Sequence, residues 1–125
     1  MLFRSGALEG FAPEEVQIIA AIARFHRGSP PKPSNAEIEE LPSGARDTVI
    51  GLAAILRVAD ILDRSRGDLM RNLFVLHRGD VIRIYVDAVR GDAVAYLGEV
   101  ANEAELWQQA FGVRLEVKLR RRDPR

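Results

Sequence analysis

Two segments in the first half of the chain repeat apolar residues at the spacing of an α-helix. In the segment 13–27, Ile19, Ile22, Ala23 and His26 fall on one face, so we expect His26 to point inward. Pro13 at the first helical position marks its start. The segment 44–66 is apolar on nearly every side, which is typical of a helix enclosed by other elements. We therefore predict two core helices.

A stiff, proline-rich connector over residues 29–33 follows the first helix. Ser34 and Glu37 then have the spacing of a capping box, which predicts a short helix over 35–41. For the long second helix, Ser43 is the predicted cap and Gly67 the predicted terminator.

The second half of the chain changes to the two-residue alternation of β-strands. Residues 71–77 and 81–87 are predicted strands joined by a hairpin turn, and the segment 113–120 alternates in the same way. Between them, 92–111 has the spacing of a single helix. The predicted fold is α+β, with N-terminal helices followed by a strand–strand–helix–strand unit and a small antiparallel sheet.

The length of 125 residues predicts one domain. Within it we expect a helical part over 1–67, the strand-containing part over 68–120 and a tail over 121–125. No apolar run reaches the roughly 18 residues of a membrane span, and the first residues do not resemble a secretory leader. Cysteine is absent, which excludes disulfides and cysteine zinc sites and favours a cytoplasmic location.

Charge is balanced overall but not along the chain. Lysine plus arginine and aspartate plus glutamate each total 18, which argues against nucleic acid as a partner. The last twelve residues nevertheless carry six basic and two acidic side chains. Their cations, Lys118 and Arg120 among them, either contact a polyanion or form a solvated tail.

Enzyme motifs are scarce. The sequence has no glycine-rich phosphate loop and no nucleophile or metalloprotease motif. His26 and Asp60 are weak candidates for a residual metal or phosphate site between two helices. The alternative is a buried histidine whose ring nitrogen is held by a carboxylate or a carbonyl. With so few ligands, we predict no catalytic residue and no metal site.

Two groups of cations are candidates for phosphate contacts. Arg24, Arg27 and Lys32 surround the connector, where they form either a phosphate-binding lip or a neutralised helix C-terminus. Arg57 and Arg64 share a helix stripe with Asp60, which is also the spacing of a simple ion pair.

The small sheet has room to pack one helix against one of its faces. It therefore leaves one open face and two edges, which are a possible surface for a partner.

Two motifs carry a family resemblance. They are LEGFAPEE at 8–15 with IIAAIARFHR at 18–27 and PKP at 31–33, and LAAILRVADILDRS at 52–65. Together they resemble the exopolyphosphatases and guanosine pentaphosphate phosphohydrolases, in the HD-like C-terminal domain of that hydrolase family. The resemblance runs from about residue 8 to residue 117.

The resemblance implies a division of labour. In the family, phosphate is cleaved by an N-terminal module of the actin-like ATPase type with a divalent metal such as Mg²⁺, and none of that module is present here. The chain is then expected to begin inside the HD-like domain, to lack a cofactor of its own and to be inactive alone. Its predicted binding residues for polyphosphate or guanosine pentaphosphate are Arg24, His26, Arg27, Lys32, Arg57 and Arg64.

Three functions remain open from the sequence. The first is a non-catalytic accessory piece that binds polyphosphate or a related polyanion. The second is a dimerisation or regulatory module without a ligand, for which we expect a homo-oligomer. The third is a metal-dependent HD-type phosphohydrolase.

Overall fold

The computed structural model describes residues 9–42, 44–64, 70–88 and 93–121, and of residues 70–72, 88, 93–96 and 121 it describes the backbone alone. The elements are α1 (Pro13–Phe25), α2 (Ala36–Glu39), α3 (Ala45–Arg64), β1 (Met70–Arg78), β2 (Val81–Ala88), α4 (Ala93–Ala101), α5 (Ala104–Phe111) and β3 (Arg114–Arg121). Helices precede a three-stranded sheet, which confirms the predicted α+β class.

The chain divides into two compact units, residues 1–56 and 57–125. The boundary falls inside α3, so the first unit holds α1, α2 and the first turns of α3. The second unit holds the last two turns of α3, the sheet, α4 and α5. The predicted single domain with a change of character near residue 67 stays a prediction.

Helix α1 begins as the sequence predicts and buries a different stripe. Pro13 is its first residue, and the backbone N–H of Ala12 donates to Glu15 Oε1 at 2.8 Å. The buried side chains are those of Val16, Ala20, Ala21 and Phe25. Ile19, Ile22, Ala23 and His26 are only half-buried. The expected core face was therefore wrong by part of a turn, because the large Phe25 side chain occupies the core instead of His26.

The other two helices of the first half also differ from expectation in detail. Asn35, not Ser34, is the N-cap residue of α2, and its Oδ1 accepts the backbone N–H of Lys32 at 2.7 Å. Helix α3 is not enclosed on all sides, since Leu52, Ile55 and Leu56 are each more than 40% exposed. The predicted cap Ser43 and terminator Gly67 lie outside the described residues.

The sheet has the strand order β1–β2–β3, with β2 in the centre. A two-residue turn, Gly79-Asp80, joins β1 to β2 in an antiparallel hairpin, and Gly79 has a φ of +55°. Strands β2 and β3 are parallel, so the sheet is mixed where a purely antiparallel one was expected. The reason is the connection: α4 and α5 carry the chain back along the sheet before β3 starts.

The predicted single helix over 92–111 is two helices. The backbone N–H of Glu103 donates to Val100 O at 2.9 Å, an i to i−3 bond that tightens the end of α4. Helix α5 then runs from Ala104 to Phe111 and is capped by Gly112, whose φ of +66° is the left-handed conformation that glycine favours.

One face of the sheet forms the core of the second unit. Ile84 and Val86 of β2 and Leu115 of β3 are buried, and α4 and α5 both contact β3. Cross-strand partners share a face, so the neighbouring residues of each strand lie on the opposite, open face.

The core of the first unit yields a prediction. Phe25 is 1% exposed, whereas Phe11 is 49% exposed. We expect Phe25→Ala to lower the free energy of unfolding by about 3–5 kcal/mol because it leaves a cavity. The matched substitution Phe11→Ala is expected to change it by less than about 0.5 kcal/mol. Urea unfolding of the two variants measures the difference, and equal losses would contradict this assignment of the core.

Candidate functional site

Four of the predicted site residues follow one another at the end of α1 and in the connector. We refer to Arg24, His26, Arg27 and Lys32 as the connector group. The Arg24 Nε lies 3.6 Å from Glu37 Oε2 of α2, and both side chains are 47% exposed. Its guanidinium also lies 5.0 Å from the centroid of the Phe25 ring. Arg24 is therefore partly neutralised by protein groups.

His26 is held by the backbone of its own helix. Its Nδ1 lies 2.6 Å from the carbonyl oxygen of Ala23, and its backbone N–H donates to Ile22 O at 3.0 Å. A carbonyl only accepts hydrogen bonds, so Nδ1 carries a proton and, in the neutral ring, Nε2 keeps the lone pair. This contact matches the carbonyl-held alternative for His26. Asp60 belongs to the other unit, and the predicted pair stays a prediction.

Lys32 and Arg27 are exposed cations of the connector group, as is Arg24. The backbone of Lys32 is fixed by Asn35, which accepts its N–H and donates back to its carbonyl at 2.9 Å. Within the described part of the chain, the Lys32 ammonium makes no hydrogen bond or ion pair. It is therefore available to an anion in solution.

A small cavity between α1 and α2 has the wrong chemistry for phosphate. Its volume is about 110 Å³, and it is lined by Gln17, Ala20, Ala21, Arg24, Glu37 and Glu40. The alanines make its walls apolar. Two glutamates face one arginine around it, and that arginine already faces Glu37. The cavity therefore favours an apolar group over an anion.

Arg57 forms an ion pair with a carboxylate. Its Nε and Nη2 donate to the two carboxylate oxygens of Glu103, at 2.6 and 3.3 Å. The two side chains are only 11% and 12% exposed. The pair joins the last turns of α3 to the junction of α4 and α5. A phosphate would have to displace Glu103 to reach this guanidinium.

Arg64 also faces carboxylates. It lies 3.4 Å from Asp60 Oδ2, one turn earlier in α3, and 2.9 Å from Glu99 Oε2 of α4. The predicted stripe of Arg57, Asp60 and Arg64 therefore contains the simple helix-side ion pair that its spacing also allowed. Among the described residues, no group of three or more histidine, aspartate or glutamate side chains is arranged to hold a metal ion.

The structure assembles a second set of cations that sequence reasoning largely missed. These cations lie on the sheet surface opposite the buried one, and we call this surface the open face. Its described members are Phe74, Leu76 and Arg78 of β1, Val81, Arg83, Tyr85 and Asp87 of β2, and Arg114, Glu116, Lys118 and Arg120 of β3. It carries five cations against two carboxylates.

Glu116 lies at the centre of the charges on the open face. Arg83 Nε donates to its Oε1 at 2.8 Å, and Arg114 Nε lies 3.1 Å from its Oε2. The hydrogen bond from Arg83 lowers the pKa of the Glu116 carboxyl below its ordinary value. Hydrogen bonds with Tyr85 and Glu116 raise the pKa of Arg83. One carboxylate therefore pairs with two guanidinium groups.

At the other end of the open face, Arg120 lies between a carboxylate and an aromatic ring. Its Nε is 3.7 Å from Asp87 Oδ1, and its guanidinium is 5.1 Å from the centroid of Phe74. Arg120 is nonetheless 56% exposed. Lys118 is exposed as well. These side chains leave positive charge accessible to solvent.

The sequence did contain the signal for this surface. In the sequence, Lys118 and Arg120 stand out only as part of a basic C-terminal segment, and no phosphate-binding motif marks Arg78, Arg83 or Arg114. The alternation along β2 and β3 places charged residues opposite the buried ones. These charged residues come together on one surface only because of the order of the strands and the parallel pairing of β2 and β3. Both are set by contacts between residues far apart in the sequence.

The buried ion pair of the second unit gives a stability prediction. Arg57→Ala leaves the Glu103 carboxylate nearly buried without its guanidinium, and we expect a loss of about 3 kcal/mol in the free energy of unfolding. Arg64→Ala removes a 48% exposed partner from the same helix and should cost less than about 1 kcal/mol. Urea unfolding compares them, and a larger loss for Arg64→Ala would refute the ranking.

The pKa of Glu116 gives a pH prediction. Because that pKa is lower in the folded chain, the carboxylate stabilises the fold above the ordinary value of 4.5, and the stabilisation disappears as pH falls through the lower value. We expect Glu116→Gln to be less stable than the natural chain at pH 7 and to lose less on acidification. Thermal midpoints between pH 7 and pH 3 test this.

The control for this series is Glu105→Gln, at an exposed position of α5. Within the described residues, Glu105 makes no ion pair and lies only in the field of the helix N-terminus, so its substitution should change the acid-induced loss of stability less than Glu116→Gln does. Parallel pH curves for the natural chain and Glu116→Gln would contradict the assigned role of the Arg83 contact.

No helix in the described ranges combines the length and the apolar character that crossing a membrane demands. No curated protein matches the chain. The family model for Ppx/GppA phosphatase, domain III, matches residues 2–88, which is more than half of the chain and ends with β2. The chain therefore belongs to the Ppx/GppA phosphatase family and contains its domain III.

Proposed function

We propose that this chain is a non-catalytic accessory domain that binds polyphosphate or a related phosphate polyanion such as guanosine pentaphosphate. Family membership supports the phosphate chemistry. The observation that carries the proposal is the open face, where five cations share one surface with only two carboxylates. A cytoplasmic location is part of the proposal and fits the absence of cysteine.

The spacing of the open face suits an extended anion. Side chains on one face of a strand recur about every 6.8 Å, so Lys118 and Arg120 form a short row along β3. Arg83 lies on the neighbouring strand β2. A flexible chain of phosphates can follow such a row without the fitted pocket that a compact ligand needs. Arginine adds paired donors that match phosphate oxygens.

The connector group supplies a second contact on the first unit. Arg27 and Lys32 are exposed there, and the backbone of Lys32 is fixed by Asn35. The helix C-terminus beside them is electronegative, which weakens this group as an anion site relative to the open face. We therefore assign the larger share of binding to the open face.

The two lysines of the chain allow a matched test. Lys32 lies in the connector group and Lys118 on the open face, and both are exposed. Titration of the purified chain with long-chain polyphosphate at two salt concentrations should show binding that weakens with salt. We expect Lys118→Gln to weaken binding severalfold and to lower the salt dependence by about one charge. Lys32→Gln should have a smaller effect.

Arg46→Gln is the control, because Arg46 is exposed in α3 outside both groups and donates to Glu39 O at 2.7 Å. It should bind like the natural chain. Equal affinities of Lys118→Gln and Arg46→Gln would remove the open face from the proposal. No binding by the natural chain would refute polyanion binding altogether. Phosphate release in the same titration with Mg²⁺ present would favour the phosphohydrolase alternative.

A further inference from the structure

Strand β1 exposes apolar side chains on both of its faces. Leu73, Phe74, Val75 and Leu76 follow one another and are 49%, 48%, 60% and 37% exposed. β1 is also an edge strand, paired only with β2 in the described sheet. An edge strand with a continuous apolar run is a template for pairing with another strand.

The opposite edge of the same sheet is built differently. Strand β3 alternates charged residues with apolar ones, and Arg114, Lys118 and Arg120 are all exposed. Charged side chains at an edge disfavour pairing with another chain. The run Leu73 to Leu76 contains no charge, no proline and no bulge. The β3 edge of the sheet is therefore protected against pairing with another strand, whereas the β1 edge is not.

The hairpin turn determines which backbone groups of β1 are available. In a two-residue hairpin, the residues that flank the turn, here Arg78 and Val81, exchange both backbone hydrogen bonds. Bonded and non-bonded positions alternate from there, so Leu76 and Phe74 direct their N–H and C=O groups to β2. Those of Leu73, Val75 and His77 point away from the sheet.

We propose that β1 pairs antiparallel with β1 of a second copy of this chain, about a two-fold axis at Val75, to form a continuous six-stranded sheet. In this register Val75 faces its own copy, Phe74 faces Leu76, and Leu73 faces His77. Arg78 faces the neutral position Asn72. Apolar residues meet across the axis, and no like charges are opposed.

The neighbouring registers are worse. An axis at Phe74 sets the apolar Leu76 against the polar position Asn72. An axis at Leu76 sets Phe74 against Arg78. A two-fold axis that passes between two residues would place a residue such as Val75 opposite one such as Phe74. The backbone groups of Val75 point away from the sheet, whereas those of Phe74 are already bonded to β2, so the two residues could not pair. The strand is therefore complementary to itself in one register, which is the argument for a second copy as the partner.

Pairing in this register has a consequence for the open face. Directly opposite residues of an antiparallel pair lie on the same side of the sheet, so the open faces of the two copies become one surface. The inference goes beyond polyanion binding, because it holds whether or not that surface takes a ligand.

Single cysteines test the register directly, since the chain has none of its own. Opposed residues of a bonded pair have Cα atoms about 5.5 Å apart, within the range of a disulfide. Val75→Cys should therefore form a disulfide-linked dimer under mild oxidation. In Leu73→Cys, the matched control on the same face, the cysteines lie four residues apart along the strands, about 13 Å. We expect crosslinking at least about tenfold slower.

Sedimentation tests the association itself. The natural chain should form a dimer, and Val75→Lys, which opposes two ammonium groups, should raise its dissociation constant at least about tenfold. Leu52→Lys, at a 43% exposed position of α3, should leave the dimer intact. The proposal is overturned by a natural chain that remains monomeric at high concentration. It is equally overturned by equal crosslinking of the two cysteine variants, or by a dimer that only Leu52→Lys dissociates.

Discussion

The phase of the alternation along β2 is the constraint on which the second unit depends. Ile84 and Val86 must lie on the buried side of the sheet, the side they share with Leu115 of β3, the strand that α4 and α5 contact. Their neighbours Arg83 and Tyr85 are then forced onto the other side. A slip of one residue in β2 would place Arg83 in the core and remove its charge from the open face. The same phase thus sets the core and the charged surface.

The net charge of the chain does not show how its arginines are distributed among carboxylate partners. Anions equal cations in the sequence, yet the carboxylates are not spread evenly. Glu103 pairs with Arg57 in a nearly buried ion pair, whereas Glu116 pairs with both Arg83 and Arg114 on the open face. An overall charge of zero therefore coexists with a surface on which cations outnumber carboxylates. The net charge of the whole chain is therefore a poor guide to the charge of one of its surfaces.

Local signals predicted most of the elements, and long-range contacts explain what was missed. Pro13 and the alternation of β2 and β3 act on adjacent residues, so the start of α1 and the strands could be predicted from sequence. The parallel pairing of β3, the break before α5 and the exposure of Leu52 depend on residues far apart in the chain. The same holds for Arg57, because nothing in its helix predicts a partner at Glu103, 46 positions later.

The position of the boundary between the two units bears on how the protein can be divided. Although α3 is one continuous helix, its last two turns belong with the sheet, where Arg57 holds Glu103. A fragment that starts after α3 would carry the complete sheet and both of its helices, but it would leave the carboxylate of Glu103 without its guanidinium. A cut inside the helix, before Arg57, keeps that contact, so the natural place for dissection is within a helix and not in the loop that follows it.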